Sequence, residues 1–142
     1  MQLPVKAHYA TLAMLALAEQ YASEQLLTAK VIAREQNIPG QFLGQILQQL
    51  RASGLIGSTR GSSGGFRLSR LPAQISIAEV VDAVCPWSQE SGVVDDAETP
   101  LASAVQSIWG ELNQQQRDLL ERVSLDELLS RVAITPATMF YI

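Results

Sequence analysis

The sequence predicts a mainly α-helical protein with one small β-hairpin: a winged helix-turn-helix domain followed by a long C-terminal dimerisation helix. Three observations predict it. Between Thr28 and Arg70 a helix, a tight turn, a second helix and a hairpin rich in glycine and arginine follow one another. From Leu101 onward apolar residues recur by threes and fours, far beyond the segment a compact winged domain needs. Charge is also divided: residues 1–70 carry seven basic and three acidic side chains (7 − 3, or +4), while residues 71–142 carry three and eleven (3 − 11, or −8).

The first helix is expected from Lys6 to Tyr21, where Ala10, Leu12, Ala13, Leu15, Ala16 and Leu17 form a broad apolar face without proline or glycine. Thr28 is a suitable N-cap for a short helix over 29–35 that buries Val31, Ile32 and Ala33. The turn Asn37, Ile38, Pro39, Gly40 ends it. A second helix runs from Gln41 to about Ser53, with Phe42, Leu43, Ile46, Leu47 and Leu50 at helical spacing and Gly54 as its stop. Its outward face is Gln41, Gly44, Gln45, Gln48 and Gln49. The runs 55–60 and 65–69, joined by Gly61, Ser62, Ser63 and Gly64, read as a hairpin, the wing. A helix near Ser76 to Val84 places Ile77, Val80, Val81 and Val84 on one side, and Cys85 and Pro86 close it.

These elements make residues 1–84 the DNA-binding domain. Residues 85–100 read as an acidic loop containing Asp95, Asp96 and Glu98, and residues 101–142 as a helical dimerisation region. Leu101, Val105, Ile108, Leu112, Leu119 and Val123 form a seam that needs a partner, and a second copy of the chain is the most economical one. An intramolecular helical hairpin is the alternative. Ser124 to Val132 forms a further short helix, introduced by a capping-box pattern at Ser124 and Glu127.

A chain of 142 residues with 47% hydrophobic residues suits an ordered globular protein. No apolar run approaches the roughly 20 residues of a membrane span, and no cleavable leader pattern is present, so a soluble cytoplasmic protein is expected. One cysteine offers neither an intrachain disulfide nor a multi-cysteine metal site.

The hairpin carries Arg60, Arg67 and Arg70 on a backbone thinned by Gly57, Gly61, Gly64 and Gly65. An arginine beside a glycine turn, as Arg60 beside Gly61, can enter the minor groove, where the potential is most negative over A·T-rich steps. Arg67 and Arg70, with Lys6, Lys30 and Arg51, are expected to hold phosphates. The second helix of a helix-turn-helix presents its N-terminal side chains to base edges, here Gln41, Gly44 and Gln45, which makes direct readout by the helix sparse. The duplex is therefore the expected partner.

The segments from Leu3 to Leu17, Leu43 to Ile56, Arg60 to Leu68 and Ile77 to Val84 together resemble the Rrf-type transcription regulators, the family of IscR, NsrR and CymR. The resemblance implies a homodimeric regulator, expected here to be a repressor, whose winged domains bind a palindromic promoter site. It assigns DNA contacts to Gln41, Phe42, Gly44 and Arg60. Cluster-binding members carry three cysteines between the helix ending here at Val84 and the long helix beginning here near Leu101. This chain has none from Pro86 to Pro100, so no iron–sulphur cofactor is expected.

Cys85 and His8 remain candidate sensor residues. Cys85 sits among valine, proline and tryptophan with acids nearby, a setting that dulls a thiol. His8 lies on the first helix, from which some cluster-binding relatives supply a ligand to the partner subunit. Trp87 and Trp109 could flank a cavity for a small-molecule effector under the acidic loop, and a protein effector is the other option. A winged domain that binds protein instead of DNA is the second functional class; it predicts no steep salt dependence with any duplex. An enzyme is the least expected class, because one histidine, one cysteine and no nucleotide-binding loop leave little to build a catalytic site from.

Overall fold

The computed structural model describes residues 3–86 and 99–132. Its elements are α1 (Val5–Glu19), α2 (Ala29–Gln36), α3 (Gly40–Ala52), β1 (Ile56–Thr59), β2 (Gly65–Leu68), a 3₁₀ turn (Pro72–Gln74), α4 (Ile77–Val84), α5 (Pro100–Arg122) and α6 (Leu125–Val132). No described helix is long and apolar enough to cross a membrane.

Helix α1 is the centre of the domain, in contact with α2, α3, α4, α6 and β2. Its alanines make this feasible: Ala7, Ala10, Ala13, Ala16 and Ala18 are buried beside Met14 and Leu17, so neighbours approach from several sides. A small side chain at each contact shortens the distance between helix axes. Leu43, Ile46, Leu47 and Leu50 of α3, Ile32 of α2 and Val80, Val81 and Val84 of α4 complete the core around it.

Local chemistry sets the boundaries. Thr28 caps α2 by accepting from the Val31 amide at 3.2 Å, and Asn37 ends it in the left-handed conformation at φ 54°. Ile38 turns back into the core, and α3 begins one residue after Pro39. Helix α3 stops at Gly54 (φ 79°), where the Leu55 amide reaches back to the Leu50 carbonyl at 3.1 Å. Pro100, expected to close a loop, instead opens α5 at its first position, where a missing amide proton costs nothing, and Thr99 caps it.

Strands β1 and β2 pair antiparallel, with Ile56 opposite Leu68, Gly57 opposite Arg67 and Ser58 opposite Phe66. Two further bonds between Leu27 and Phe66, at 3.1 and 2.7 Å, fasten β2 to the segment before α2. Side chains alternate across a strand, so Ser58 and Phe66 share one face of the hairpin while Gly57 and Arg67 share the other.

The C-terminal segment departs most from expectation. Val123 is only 8% exposed and Leu125 fully buried, both within the core built on α1. The Ile77 amide donates to the Val123 carbonyl at 2.9 Å and the Leu125 amide to the Ile75 carbonyl at 3.0 Å, so the α5–α6 junction pairs with the segment entering α4. Helix α6 then packs on α1 and the 3₁₀ turn. Residues 123–132 thus complete the first domain, and Val123 does not belong to the exposed seam in which the sequence pattern placed it. The spacing of Val123 from Leu119 fits the stripe, but Val123 is already the C-cap, where the chain changes direction.

The rest of the seam is exposed. Leu101, Val105, Ile108, Leu112 and Leu119 lie along α5 at 81, 49, 52, 37 and 51% exposure, with Trp109 beside them at 44%. The C-terminal part of α5 is tied to the domain by Arg117, which pairs with Asp82 of α4, and by Leu120, which packs against the core. Trp87 and the acidic residues Asp95, Asp96 and Glu98 lie outside the described residues, as does the loop cavity expected beside them.

Candidate nucleic-acid interface

Helix α3 buries Leu43, Ile46, Leu47 and Leu50 and turns Gln41, Gly44, Gln45 and Gln48 to solvent, as its spacing predicts. Gln49 is different: it faces sideways, half-buried, and its Oε1 has no hydrogen-bond partner among the described residues. Phe42 is the one large apolar residue near the exposed start of α3, 51% exposed, with its ring 6.2 Å from that of Tyr9. Tyr9 in turn lies 6.0 Å from His8, so α1 contributes an aromatic shoulder beside the start of α3.

Between α2, α3 and the hairpin runs an open groove. One part, of about 410 Å³, is bounded by Thr28, Arg51, Ser58, Arg60, Gly61 and Phe66. An adjoining part, of about 220 Å³, extends along Gly44, Leu47 and Gln48. Arg51 bridges the two walls by donating from Nη1 to the Ser58 Oγ at 3.1 Å. The wing tip depends on its glycines: Gly61 has φ 114°, and a Cβ on Gly64 would collide with the Thr59 carbonyl. Arg60 stands at this tip, exposed.

Electrostatics favour this side. Among the described residues, the ion pairs are Arg70 with Glu79, Arg117 with Asp82 and Glu121, and Arg131 with Glu127. Lys30, Arg34, Arg51 and Arg60 form none, which leaves their charge available to an external anion.

The structure separates the wing arginines that the sequence groups together. Arg70 is committed within the chain: Nη2 holds the Glu79 Oε1 at 2.9 Å and Nη1 donates to the Gln74 carbonyl at 3.3 Å. The other oxygen of Glu79 accepts from the Ser76 amide at 3.0 Å as part of the α4 capping box. Arg70 is therefore a strut between the wing and α4 and not a free phosphate ligand. Arg67 projects from the opposite hairpin face to Ser58 and lines a separate cleft with the end of α1. Alternation along β2 encodes this separation, which the shared charge of the three arginines conceals. Lys6, half-buried on α1, is more distant in sequence from this groove than Lys30 at the start of α2.

Comparison with known proteins agrees with this architecture. Residues 3–131 match the Rrf2 family model, described as an iron-dependent transcriptional regulator. The chain is 30% identical over 141 residues to the protein rrf2 of Nitratidesulfovibrio vulgaris, covering 96% of this chain and 92% of that one. It is 30% identical over 131 residues to the HTH-type transcriptional regulator IscR of Aliivibrio salmonicida, covering 91% and 77%. Its fold superposes on CymR, the global cysteine regulator of B. subtilis, with a TM-score of 0.82, 25% identity and coverage of 92% and 98%.

The family description raises the question of iron, and the donor set of this chain does not fit a cluster. An iron–sulphur cluster is held by several thiolates, with histidine replacing some of them in certain types. Here there is one cysteine and one histidine. Cys85 is half-buried at the end of α4, His8 is exposed on α1, and no group of three metal-binding side chains occurs among the described residues.

Proposed function

Because the chain belongs to the Rrf2 family of transcriptional regulators, we propose that it is a homodimeric repressor that binds a palindromic promoter site without an iron–sulphur cluster. That it is a DNA-binding regulator follows from the family. The dimer, the palindrome, the repressor role, the cytoplasmic location and the cluster-free state are proposed with it.

The observation that carries it is the groove, where Arg51 and Arg60, in no ion pair with a described residue, flank the polar face of α3. In this reading α3 enters the major groove with Gln41 and Gln45 toward base edges. Arg60 reaches the adjacent minor groove, while Lys30 and Arg51 neutralise phosphates. Phe42 offers an apolar edge suited to a thymine methyl group. The exposed α5 stripe supports the dimer: five large apolar residues on one helix face favour association with a like surface. Two copies would then present their α3 helices to half-sites one helical turn apart, about 34 Å, or a multiple of it.

Fluorescence anisotropy with the promoter region upstream of the chain's own gene tests this. Binding should be saturable, favour that duplex over a scrambled one, and weaken steeply from low to physiological salt. Equal affinity for both duplexes would overturn the specific-regulator reading. The cluster-free state is tested by the visible absorption of anaerobically purified protein, expected to be colourless.

A further inference from the structure

The hairpin face turned away from the groove carries a cleft of its own. It has a volume of about 560 Å³ and lies between the end of α1 with the turn that follows it and the base of the hairpin; Leu17, Tyr21, Glu24, Gly57 and Arg67 are among its walls. Small-molecule sites have volumes of roughly 300–1,000 Å³. The space is not an accident of one side chain's rotamer. Gly57 stands directly opposite Arg67 in the hairpin register, and a Cβ built there would meet nothing within 4 Å.

Two opposite charges line this cleft, and neither is used. Arg67 and Glu24 form no ion pair with any described residue, although the other two hairpin arginines have clear roles, Arg70 as a strut and Arg60 at the wing tip. Glu24 is one of only two described non-glycine residues at positive φ, at 57°, held by the bond from its amide to the Tyr21 carbonyl at 3.2 Å. A left-handed glutamate on the wall of a cavity is an outlier of the kind that clusters at ligand sites. Tyr21, half-buried just past the end of α1, adds an aromatic wall to the same cleft.

We propose that this cleft binds a small zwitterion of the free amino-acid class, its carboxylate against Arg67, its ammonium against Glu24 and its side chain beside Tyr21. The site also bears on DNA. Strand β2 carries Arg67 on this face and Phe66 in the groove on the other, so an occupant that fixes β2 fixes the wing. That consequence rests on the DNA-binding reading; the binding itself does not.

Titration calorimetry of the full chain without DNA, against each free amino acid in turn at millimolar concentration, tests the site independently of that reading. At least one should bind. Arg67→Gln and Glu24→Gln should each weaken it by about tenfold or more, as expected when one charge-assisted bond is lost. Gly57→Leu should abolish it by filling the space without altering charge, with thermal melting of the three variants confirming their fold. No heat from any amino acid, or binding unchanged in Arg67→Gln, would overturn the proposal. Loss in Arg67→Gln with none in Glu24→Gln would overturn the zwitterion in favour of a plain carboxylate.

Discussion

Arg117 on α5 grips Asp82 on α4 with two parallel hydrogen bonds, from Nη1 to Oδ1 and from Nη2 to Oδ2, both 2.7 Å long. Its Nε donates to the Glu121 carboxylate at 2.9 Å, so a single guanidinium joins the long helix to the DNA-binding domain and braces its own last turn. The hydrogen bond to Asp82 outweighs the desolvation of the guanidinium and raises its pKa above the ordinary arginine range. A base raised in this way contributes its stability at every working pH below its own titration, so alkaline buffer will not release α5.

Arg117→Met should therefore loosen α5 from α4. The pair is partly exposed, Arg117 at 21% and Asp82 at 36%, so the loss is expected to be about 1 kcal/mol, at the upper end for solvent-screened pairs. Thermal unfolding should show a drop of a few degrees. Asp82→Asn should give a similar drop, and the double variant should be less than additive.

The three wing arginines should separate in a binding experiment. Arg60→Ala is expected to weaken operator binding by about 1–3 kcal/mol, the worth of one good base-reading contact. Arg67→Ala should leave operator affinity nearly unchanged in ligand-free buffer, because its side chain lies on the other hairpin face. An electrophoretic mobility assay that ranks Arg67 with Arg60 would contradict the assignment of faces.

Arg70→Ala should reveal itself in stability instead. It removes one ion pair of modest worth, about 1 kcal/mol or less for groups each 41% exposed, along with the wing's tether to the α4 capping box. Glu79→Ala should cost more, about 1–2 kcal/mol, since Glu79 serves both Arg70 and the Ser76 amide. Denaturant midpoints measure the difference.

Gly64→Ala should disable the wing without unfolding the core. The added methyl meets the Thr59 carbonyl, so the turn must open, at a cost of about 1–3 kcal/mol of local strain. The expected result is a cooperative melt lowered by several degrees, with weakened DNA binding. A collapse of the entire fold would mean that the hairpin carries more of the core than its two short strands suggest.

The proposed dimer has a direct test at Ile108, 52% exposed on α5. Ile108→Asp should leave the fold of each chain intact, since the side chain touches no core, while converting a species of twice 15.4 kDa to one of 15.4 kDa in sedimentation. Unchanged mass in the variant would remove the stripe as the interface.

Much of this was legible in the residues. Periodicity gave α1 through α4 to within two residues, Thr28 and Gly54 marked true helix ends, and Gly61 and Gly64 occupy the turn positions their chemistry suits. What failed to show was information carried across the chain. Nothing in the local pattern of Val123 tells that it pairs with Ile77, nor does the charge of Arg70 say that Glu79 will take it. Arg67 could have been separated from Phe66 by strand alternation alone. Gln49 is polar like its neighbours, yet its angular position on α3 leaves it half-buried.

The pairing of Val123–Leu125 with Ile75–Ile77 has a consequence for the chain's synthesis. Helix α1 leaves the ribosome more than a hundred residues before α6, which packs against it. Until then the side of α1 that meets α6 lacks that partner. Folding of this domain is thus expected to complete only after the α6 segment has cleared the exit tunnel, so that DNA-binding competence arrives together with the intact C-terminal helices and not before.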